Sequence, residues 1–270
     1  MGLFYDIIFI LIYAWHIHLC GMIELINIQK GFNNKSVHSG ISFYIPEGKL
    51  VALIGGSGSG KSVLLKMIAG LLQPDSGTIK VKNLEMASLK GRSLRNLRSS
   101  MGYLFQNGAL FDSMTVFDNV AFPLREKLKI GETAIEERVY KELANVGLSG
   151  SEMKYPSQIS GGMIKRAALA RSLIMEPDIM LFDEPTTGLD PVIGLSVLKL
   201  IKDCHDRLSF TGIIVTHEIP RAFDIVSRVI MLKDGYVYKD AVPKEFMDSD
   251  DPYIKAFMGR SRADEAQEYL

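Results

Sequence analysis

The sequence predicts an α/β domain with a largely parallel central sheet and a helical insert. In the second half of the chain, short apolar segments alternate with amphipathic helical segments, an order that is typical of parallel strands joined by helices. The segment 50–54 is apolar throughout, as a strand buried on both faces should be. Residues 107–160 show helical periodicity without a convincing buried strand, so we expect this stretch to form the insert.

The elements of the first half are predicted from short hydrophobic patterns and from the residues that interrupt them. A glycine-rich turn follows the strand 50–54, and an amphipathic helix then continues until Pro74 and the turn Asp75-Ser76-Gly77 stop it. The predicted strands are 22–28, 41–45, 50–54, 78–81 and 102–105, and the predicted helices are 61–72 and 132–146.

The second half alternates regularly between helices and strands. Asp234-Gly235 is typical of a tight turn between two antiparallel strands, so we expect a hairpin at this point. The predicted helices are 162–175, 192–208 and 218–226, and the predicted strands are 179–182, 212–215, 229–232 and 236–238.

Charge and cysteine content limit the classes of function. The 270 residues include 31 Lys and Arg and 31 Asp and Glu, so no global electric field attracts nucleic acid or acidic lipid. We therefore expect no nucleic-acid partner. Cys20 and Cys204 have neither metal-ligand spacing nor the pattern of a disulfide framework, which indicates a reducing compartment and hence the cytoplasm.

The first 21 residues form an extension ahead of the predicted domain, which spans 22–240. Residues 7–19 are mostly apolar but are interrupted by His16 and His18, and they fall short of the roughly 20 residues that a membrane-spanning helix needs. They also lack the basic region of a secretory signal. The extension is a membrane-associating tail, a packed extra helix, or translated upstream sequence ahead of a start at Met22. We favour the last, because a good strand begins at Met22.

The tail, 241–270, is predicted to contain a short helical segment at 243–259. Its last helix can start at Pro252, where a missing N–H costs nothing. Its apolar face either packs against the core of the chain or docks a partner subunit, and residues 260–270 are polar and expected to be flexible. The apolar residues of this face are Tyr253, Ile254, Phe257 and Met258.

A phosphate-binding loop lies between the buried strand 50–54 and the helix that follows it. Backbone N–H groups of such a loop curl around phosphate oxygens, and the start of the helix adds the positive end of its dipole. Lys61 is expected to reach the β- and γ-phosphates of a nucleotide, and the Ser62 hydroxyl to bind Mg²⁺. The motif G-x-x-x-x-G-K-S comprises Gly55, Gly56, Ser57, Gly58, Ser59, Gly60, Lys61 and Ser62.

Two carboxylates follow the apolar run 179–182. Asp183 is expected at the carboxyl end of a strand, where ligands bind on open α/β sheets, and it can hold Mg²⁺ through water. Glu184 points elsewhere because it is the next residue, which leaves it free to act as a general base on the water that attacks the γ-phosphate. These motifs together define a P-loop NTPase.

Further motifs, in their order along the chain, resemble those of ABC ATPases over residues 22–238. The resemblance implies a RecA-like P-loop NTPase core, an antiparallel β subdomain and an inserted α-helical subdomain. It also implies that the phosphate-binding loop, Asp183 and all of the motifs named below except His217 bind ATP. Mg²⁺ would be bound by Ser62, Gln106 and Asp183, and His217 would have a catalytic switch role. The motifs are an aromatic, Phe32; the Q-loop residue, Gln106; the signature, Ser160, Gly161 and Gly162; the D-loop residue, Asp190; and the switch histidine, His217.

The resemblance implies a head-to-tail homodimer, in which each signature closes on the ATP held by the other chain. Phe32 would stack on adenine, although it could also be an ordinary core residue. One position departs from the family, because Met163 stands where the signature usually has glutamine, and it cannot make the polar contacts of that residue.

The sequence around Met163 and residues 104–126 resembles the ATPases of the phospholipid-transporting Mla (maintenance of lipid asymmetry) systems. That resemblance implies a peripheral protein on the cytoplasmic face of the inner membrane. It also implies three kinds of partner: an integral membrane permease, an MCE-domain substrate-binding subunit and a small STAS-domain subunit. The alternatives are an ATPase for another substrate, such as an amino acid, and a non-transport ABC ATPase acting on ribosomes or DNA. The latter usually carry two cassettes or a long coiled-coil insertion, which this chain lacks.

Overall fold

A computed structural model describes residues 21–33 and 35–267 of the chain. A four-stranded sheet with strand order β2-β1-β4-β5 has antiparallel pairing throughout, which confirms the antiparallel β subdomain. Residues 1–20 of the N-terminal extension, Asn34 and residues 268–270 lie outside the described residues. The strands of this sheet are β1 (Gly21–Phe32), β2 (Lys35–Pro46), β4 (Ser76–Val81) and β5 (Leu84–Glu85).

The central sheet has six strands in the order β10-β9-β3-β8-β7-β6. Its pairings are parallel except at the edge, where β10 runs antiparallel to β9, so the predicted parallel sheet and hairpin are both confirmed. Every residue of β3, β7 and β8 is buried, as their apolar sequences require. The strands are β3 (Leu50–Gly55), β6 (Met101–Leu104), β7 (Ile179–Asp183), β8 (Thr211–Val215), β9 (Arg228–Lys233) and β10 (Tyr236–Ala241).

Helices cover both faces of the central sheet and form the insert. Residues 107–160, all of which the structure describes, contain two α-helices, a short 3₁₀ turn and no strand. The insert shares an apolar cluster with the helix that follows it, through Ala167 and Ala170. The helices are α1 (Lys61–Ile68), α2 (Gly91–Ser99), α3 (Val116–Lys127), α4 (Glu132–Asn145), α5 (Gly161–Leu173), α6 (Pro191–Leu208), α7 (Pro243–Met247) and α8 (Pro252–Gln267). In the described part of the chain, none of them is long and apolar enough to cross a membrane.

Two expectations about helices are wrong, and one helix was not expected. Residues 218–226 hold only a 3₁₀ turn, Arg221–Asp224, because Pro220 has no N–H for a helical hydrogen bond and restricts the residue before it. Helix α1 ends at Ile68 rather than at residue 72, because Gly70 takes a left-handed conformation that ends the helix. Helix α2 was not predicted.

The C-terminal tail packs on the central domain. Ile254 and Met258 are buried in the cluster that covers one face of the central sheet, and Tyr253 and Phe257 pack against it. Asp251 caps α8 by accepting hydrogen bonds from the backbone N–H groups of Tyr253 and Ile254 at 2.8 and 3.0 Å. Of the two alternatives for this apolar face, the structure favours packing within the chain. The helix also continues to Gln267, beyond the predicted end at residue 259, and the flexibility expected of residues 260–270 stays a prediction.

Candidate active site

The phosphate-binding loop leaves β3 and enters α1 at the carboxyl edge of the central sheet. Gly55 has φ 150°, and a Cβ there would lie 2.5 Å from the Leu232 carbonyl oxygen, so a side chain does not fit. Gly60 has φ 89°, and a Cβ there would meet the His38 ring at 2.4 Å. No side chain caps the start of α1. The N–H groups of its first turn therefore have no capping side chain and can donate to a bound anion.

The Lys61 ammonium lies within this loop. It donates hydrogen bonds to the carbonyl oxygens of Gly55 and Gly56, at 2.9 and 3.1 Å. Burial lowers the pKa of Lys61, and the negative charges of Glu184 and Asp183 act against that shift. Carbonyl oxygens are weak partners for a buried cation. A phosphate would bind the ammonium more strongly and could replace them, so the arrangement fits phosphate binding.

Asp183 ends β7 and holds two hydroxyl groups. Ser62 Oγ donates to its Oδ1 at 2.7 Å, and Tyr103 Oη donates to its Oδ2 at 3.1 Å. Burial raises the pKa of Tyr103, and Asp183 raises it further, so the phenol stays a hydrogen-bond donor. Residues 22–33 and 35–259 contain no group of three or more His, Cys, Asp or Glu side chains that could hold a metal ion. One carboxylate and one hydroxyl fit Mg²⁺, which takes its remaining oxygens from phosphate and water.

Both carboxylate oxygens of Glu184 are hydrogen-bonded. Gln106 Nε2 and Thr187 Oγ1 donate to Oε2 at 3.0 and 2.9 Å, and His217 Nε2 lies 3.0 Å from Oε1. The backbone N–H of Glu184 donates to the Val215 carbonyl oxygen at the end of β8. The predicted base and the switch histidine are therefore brought together. Gln106 contacts the base, and its predicted role as a metal ligand stays a prediction.

Ser160 starts α5 and caps it, because its Oγ accepts a hydrogen bond from the Met163 N–H at 3.3 Å. That bond uses the backbone of Met163, and any residue could supply it. The Met163 side chain is partly buried and packs against the apolar core of the insert. Methionine in place of the usual glutamine therefore adds apolar packing inside the chain.

The start of α5 packs beside the start of α6. A Cβ on Gly162 would lie 2.6 Å from Ile193, and one on Gly161 would lie 3.4 Å from Leu189. Asp190 Oδ1 accepts hydrogen bonds from two backbone N–H groups in the first turn of α6, so Asp190 acts as the helix cap. The nucleotide contacts predicted for Asp190, Ser160 and both glycines stay predictions.

Phe32 lines an open cavity of about 540 Å³. Its ring is 45% exposed, which argues against an ordinary core position, and Lys30 Nζ lies 5.3 Å from the ring centroid. His38 also lines the cavity and contacts Gly60. An exposed aromatic ring beside a phosphate site is suited to stacking on a base.

Sequence reasoning assigned no role to Tyr103, His38 or Lys165, and it placed Thr187 only in the D-loop motif, residues 187–190. Tyr103 and Thr187 bind the two carboxylates, His38 packs under the loop, and Lys165 of α5 donates to the Gln106 carbonyl oxygen. Tyr103 and Phe105 are two residues apart in the strand predicted at 102–105, a spacing that places them on the same face, and this was the available signal for Tyr103. The other contacts join residues far apart in the chain, and no local pattern marks them.

Comparison with known proteins matches this architecture. A family model described as ABC transporter matches residues 38–187. The probable ribonucleotide transport ATP-binding protein mkl of Mycobacterium tuberculosis is 40% identical over 240 residues, which cover 89% of this chain and 67% of that protein.

Two further comparisons cover nearly the whole relative. The intermembrane phospholipid transport system ATP-binding protein MlaF of Haemophilus influenzae is 37% identical over 237 residues, or 88% of this chain and 90% of that protein. A dimeric ATP-binding cassette, solved in a post-hydrolysis state with ADP and Pi, has a TM-score of 0.75 at 31% identity. It covers 82% of this chain and 99% of that structure. With its phosphate-binding loop, paired carboxylates and shared fold, this chain belongs to the ABC transporter ATP-binding family and is an ATPase.

Proposed function

We propose that this chain hydrolyses ATP to move phospholipids between the inner and outer membranes. The similarity to MlaF carries the proposal, because it extends over 90% of that protein and includes the helical insert. In this family the insert faces the membrane subunit, so it is the region expected to determine which transporter the ATPase serves.

The site supplies each group that phosphoryl transfer to water needs. The loop N–H groups and Lys61 bind and orient the phosphates, and Ser62 and Asp183 would hold Mg²⁺, which neutralises charge on the phosphate oxygens. Glu184 accepts the proton of the attacking water, which makes that water a better nucleophile. Gln106 and His217 hold the carboxylate in place while the water attacks.

A homodimer would complete the nucleotide site. Ser160 and Gly161 are exposed at the start of α5. The Ser160 oxygen accepts the Met163 N–H, but the Ser160 O–H and the Gly161 N–H can still donate to a phosphate from outside the chain. Beside them Val192 is 70% exposed and Ile193 is 37% exposed, and such apolar side chains favour burial against a partner. We infer that the second chain covers this region with its bound ATP.

The remaining partners follow from the same similarity. Exposed apolar side chains on the insert, among them Phe111 at 43% exposure, suit contact with an integral permease. We infer a peripheral position on the cytoplasmic face of the inner membrane, in a complex with an MCE-domain subunit and a small STAS-domain subunit.

Purification of the native complex with lipid analysis tests the proposed substrate. We expect phospholipid in the complex, and ATP-dependent phospholipid transfer between vesicles after reconstitution. The same complex with Glu184→Gln is the matched control, which should assemble and hold lipid but not transfer it. Because mkl is named for ribonucleotide transport, nucleotides are measured in parallel. Bound ribonucleotide without phospholipid would contradict the proposal.

A further inference from the structure

Helix α5, which begins at the signature, also holds the loop that follows β6. Arg171 donates hydrogen bonds to the carbonyl oxygens of Gly108 and Ala109, both at 2.8 Å. The Lys165 ammonium donates to the Gln106 carbonyl oxygen. Gly108 lies against Ile164, where an added Cβ would be 3.2 Å from the side chain. Three cationic hydrogen bonds and close packing therefore make this loop move with α5.

Lys165 is an unusual residue for this position. It is 6% exposed, and a buried ammonium is costly unless it is paired or hydrogen-bonded. Burial lowers the pKa of Lys165, and the negative charge of Glu184 acts against that shift. The charge of Glu184 therefore acts on the Lys165 ammonium, while the ammonium donates its hydrogen bond to the Gln106 carbonyl oxygen.

Gln106 connects Lys165 to Glu184. Its backbone carbonyl accepts from Lys165, and its side-chain amide donates to Glu184 Oε2 at 3.0 Å. A continuous path therefore runs from α5 through one residue to the carboxylate that activates water. A shift of α5 by a fraction of an ångström would change the hydrogen bond from the Gln106 amide to Glu184.

We propose that Lys165 is a positioning residue for ATP hydrolysis, which acts through Gln106 to hold Glu184 in its productive orientation. The same contact ties the helix that begins at Ser160 to the base of its own chain. Since Ser160 is inferred to close on the ATP of the second chain, Lys165 couples nucleotide at one site to base geometry at the other. The inference rests on the proposed dimer and on the role of Glu184.

The test compares Lys165→Met, Lys165→Arg and Lys199→Met in the native complex. Lys199 is an exposed lysine of α6 and serves as the matched control. We expect Lys165→Met to lower kcat at least tenfold, with KM and the Kd for ATP within threefold of wild type, because the phosphate-binding loop is untouched. Lys165→Arg keeps a cationic donor and should recover most of kcat, and Lys199→Met should match wild type.

A double-mutant cycle with Gln106→Ala tests the path. If Lys165 acts through Gln106, the double variant should be no slower than Gln106→Ala alone. Multiplied losses, or a Lys165→Met kcat within twofold of wild type, would overturn the proposal. If Lys165→Met does not fold, the cycle is run with Lys165→Gln. Glu184→Gln is measured alongside, and wild-type hydrolysis by that variant would instead refute the role of Glu184.

Discussion

Glu184 adopts a left-handed backbone conformation, with φ 51°, which is uncommon for residues other than glycine. Such a conformation costs on the order of 1–3 kcal/mol and persists where the surroundings over-determine it. Here the surroundings are the backbone bond to Val215 and the side-chain contacts of Gln106, Thr187 and His217. The backbone turns at this residue because its carboxylate must leave the sheet in a different direction from that of Asp183.

Glu184→Gln should abolish most hydrolysis while ATP still binds. The amide keeps the size of the carboxylate but cannot accept the proton of the attacking water, so we expect kcat to fall by about 10²- to 10⁴-fold. ATP turnover and equilibrium ATP binding measure the two properties separately, and the dimer should be trapped with ATP. Glu137→Gln, on the exposed face of α4, is the control. Wild-type turnover by Glu184→Gln would mean that another group is the base.

His38 should make stability depend on pH below neutrality. Burial lowers the pKa of His38 from 6.5, and the backbone of Gly60 opposes this shift. The unfolded chain then binds a proton near pH 6.5, whereas the folded chain binds it only at lower pH. Stability is complete above pH 6.5 and is lost as the pH falls towards the folded pKa.

Urea unfolding of wild type and His38→Leu at pH 7.5 and 5.5 measures this effect. Between these values, wild type should lose more of its free energy of unfolding than His38→Leu does. The comparison cancels every other titrating group. Equal losses in both proteins would show that His38 protonates as readily in the folded as in the unfolded chain.

The residues that belong to sequence motifs could be placed at one site from the sequence. The contacts that support those residues could not. Lys61, Ser62 and Asp183 belong to motifs whose spacing is fixed by a strand, a tight turn and a helix. Tyr103 and Lys165 act through contacts with residues about 80 and 59 positions away, so only the sheet order and the packing of α5 determine them.

At the scale of elements, α4 of the insert is joined to α6 of the core by an ion pair. Arg207 donates to both oxygens of Glu142 at 3.0 and 2.8 Å, and the carboxylate is buried while the guanidinium is partly exposed. A bidentate pair of this kind fixes both distance and orientation. It therefore limits how far the insert can rotate against the core.

Arg207→Met should destabilise the chain by about 1–2 kcal/mol, because it leaves a buried carboxylate without its cation. Because Arg207 is partly exposed, this loss of stability lies at the low end of what breaking a buried ion pair costs. Urea unfolding measures it, with Arg138→Met on the exposed face of α4 as control. Adding Glu142→Gln should recover part of the loss. A loss in Arg207→Met no larger than in the control would show that water replaces the arginine.

The elements themselves were predicted best where they are buried. Strands β3, β7 and β8 are buried throughout and mostly apolar, and they were found within one residue of their observed ends. Helix α2 was missed because it is short and mostly polar, with Leu94 and Leu97 as its inward contacts. Its position is determined by tertiary packing against the core, which a local pattern does not contain.

At the scale of the whole molecule, three apolar clusters of the described residues support one catalytic edge. One lies between the two sheets, one on the opposite face of the central sheet, and one between the insert and α5. The carboxyl ends of β3, β7 and β8 meet where the parallel register pairs Asp183 with Val215. Ile254 and Met258 of α8 contribute to the second cluster, so the tail belongs to the folded domain.

Removing residues 250–270 should therefore lower the stability of the ATPase itself. Ile254 and Met258 lose their burial, at about 1.5–3 kcal/mol for each side chain, and the apolar face of the sheet beneath them is exposed. We expect a loss of about 3 kcal/mol in the free energy of unfolding, measured with urea on the isolated chain. Ile254→Ala should reproduce part of it, whereas Lys255→Ala, on the exposed side of α8, should not. Pull-down of partner subunits completes the test. Unchanged stability with loss of the partners would show that the tail serves assembly and that its packing on the core contributes little.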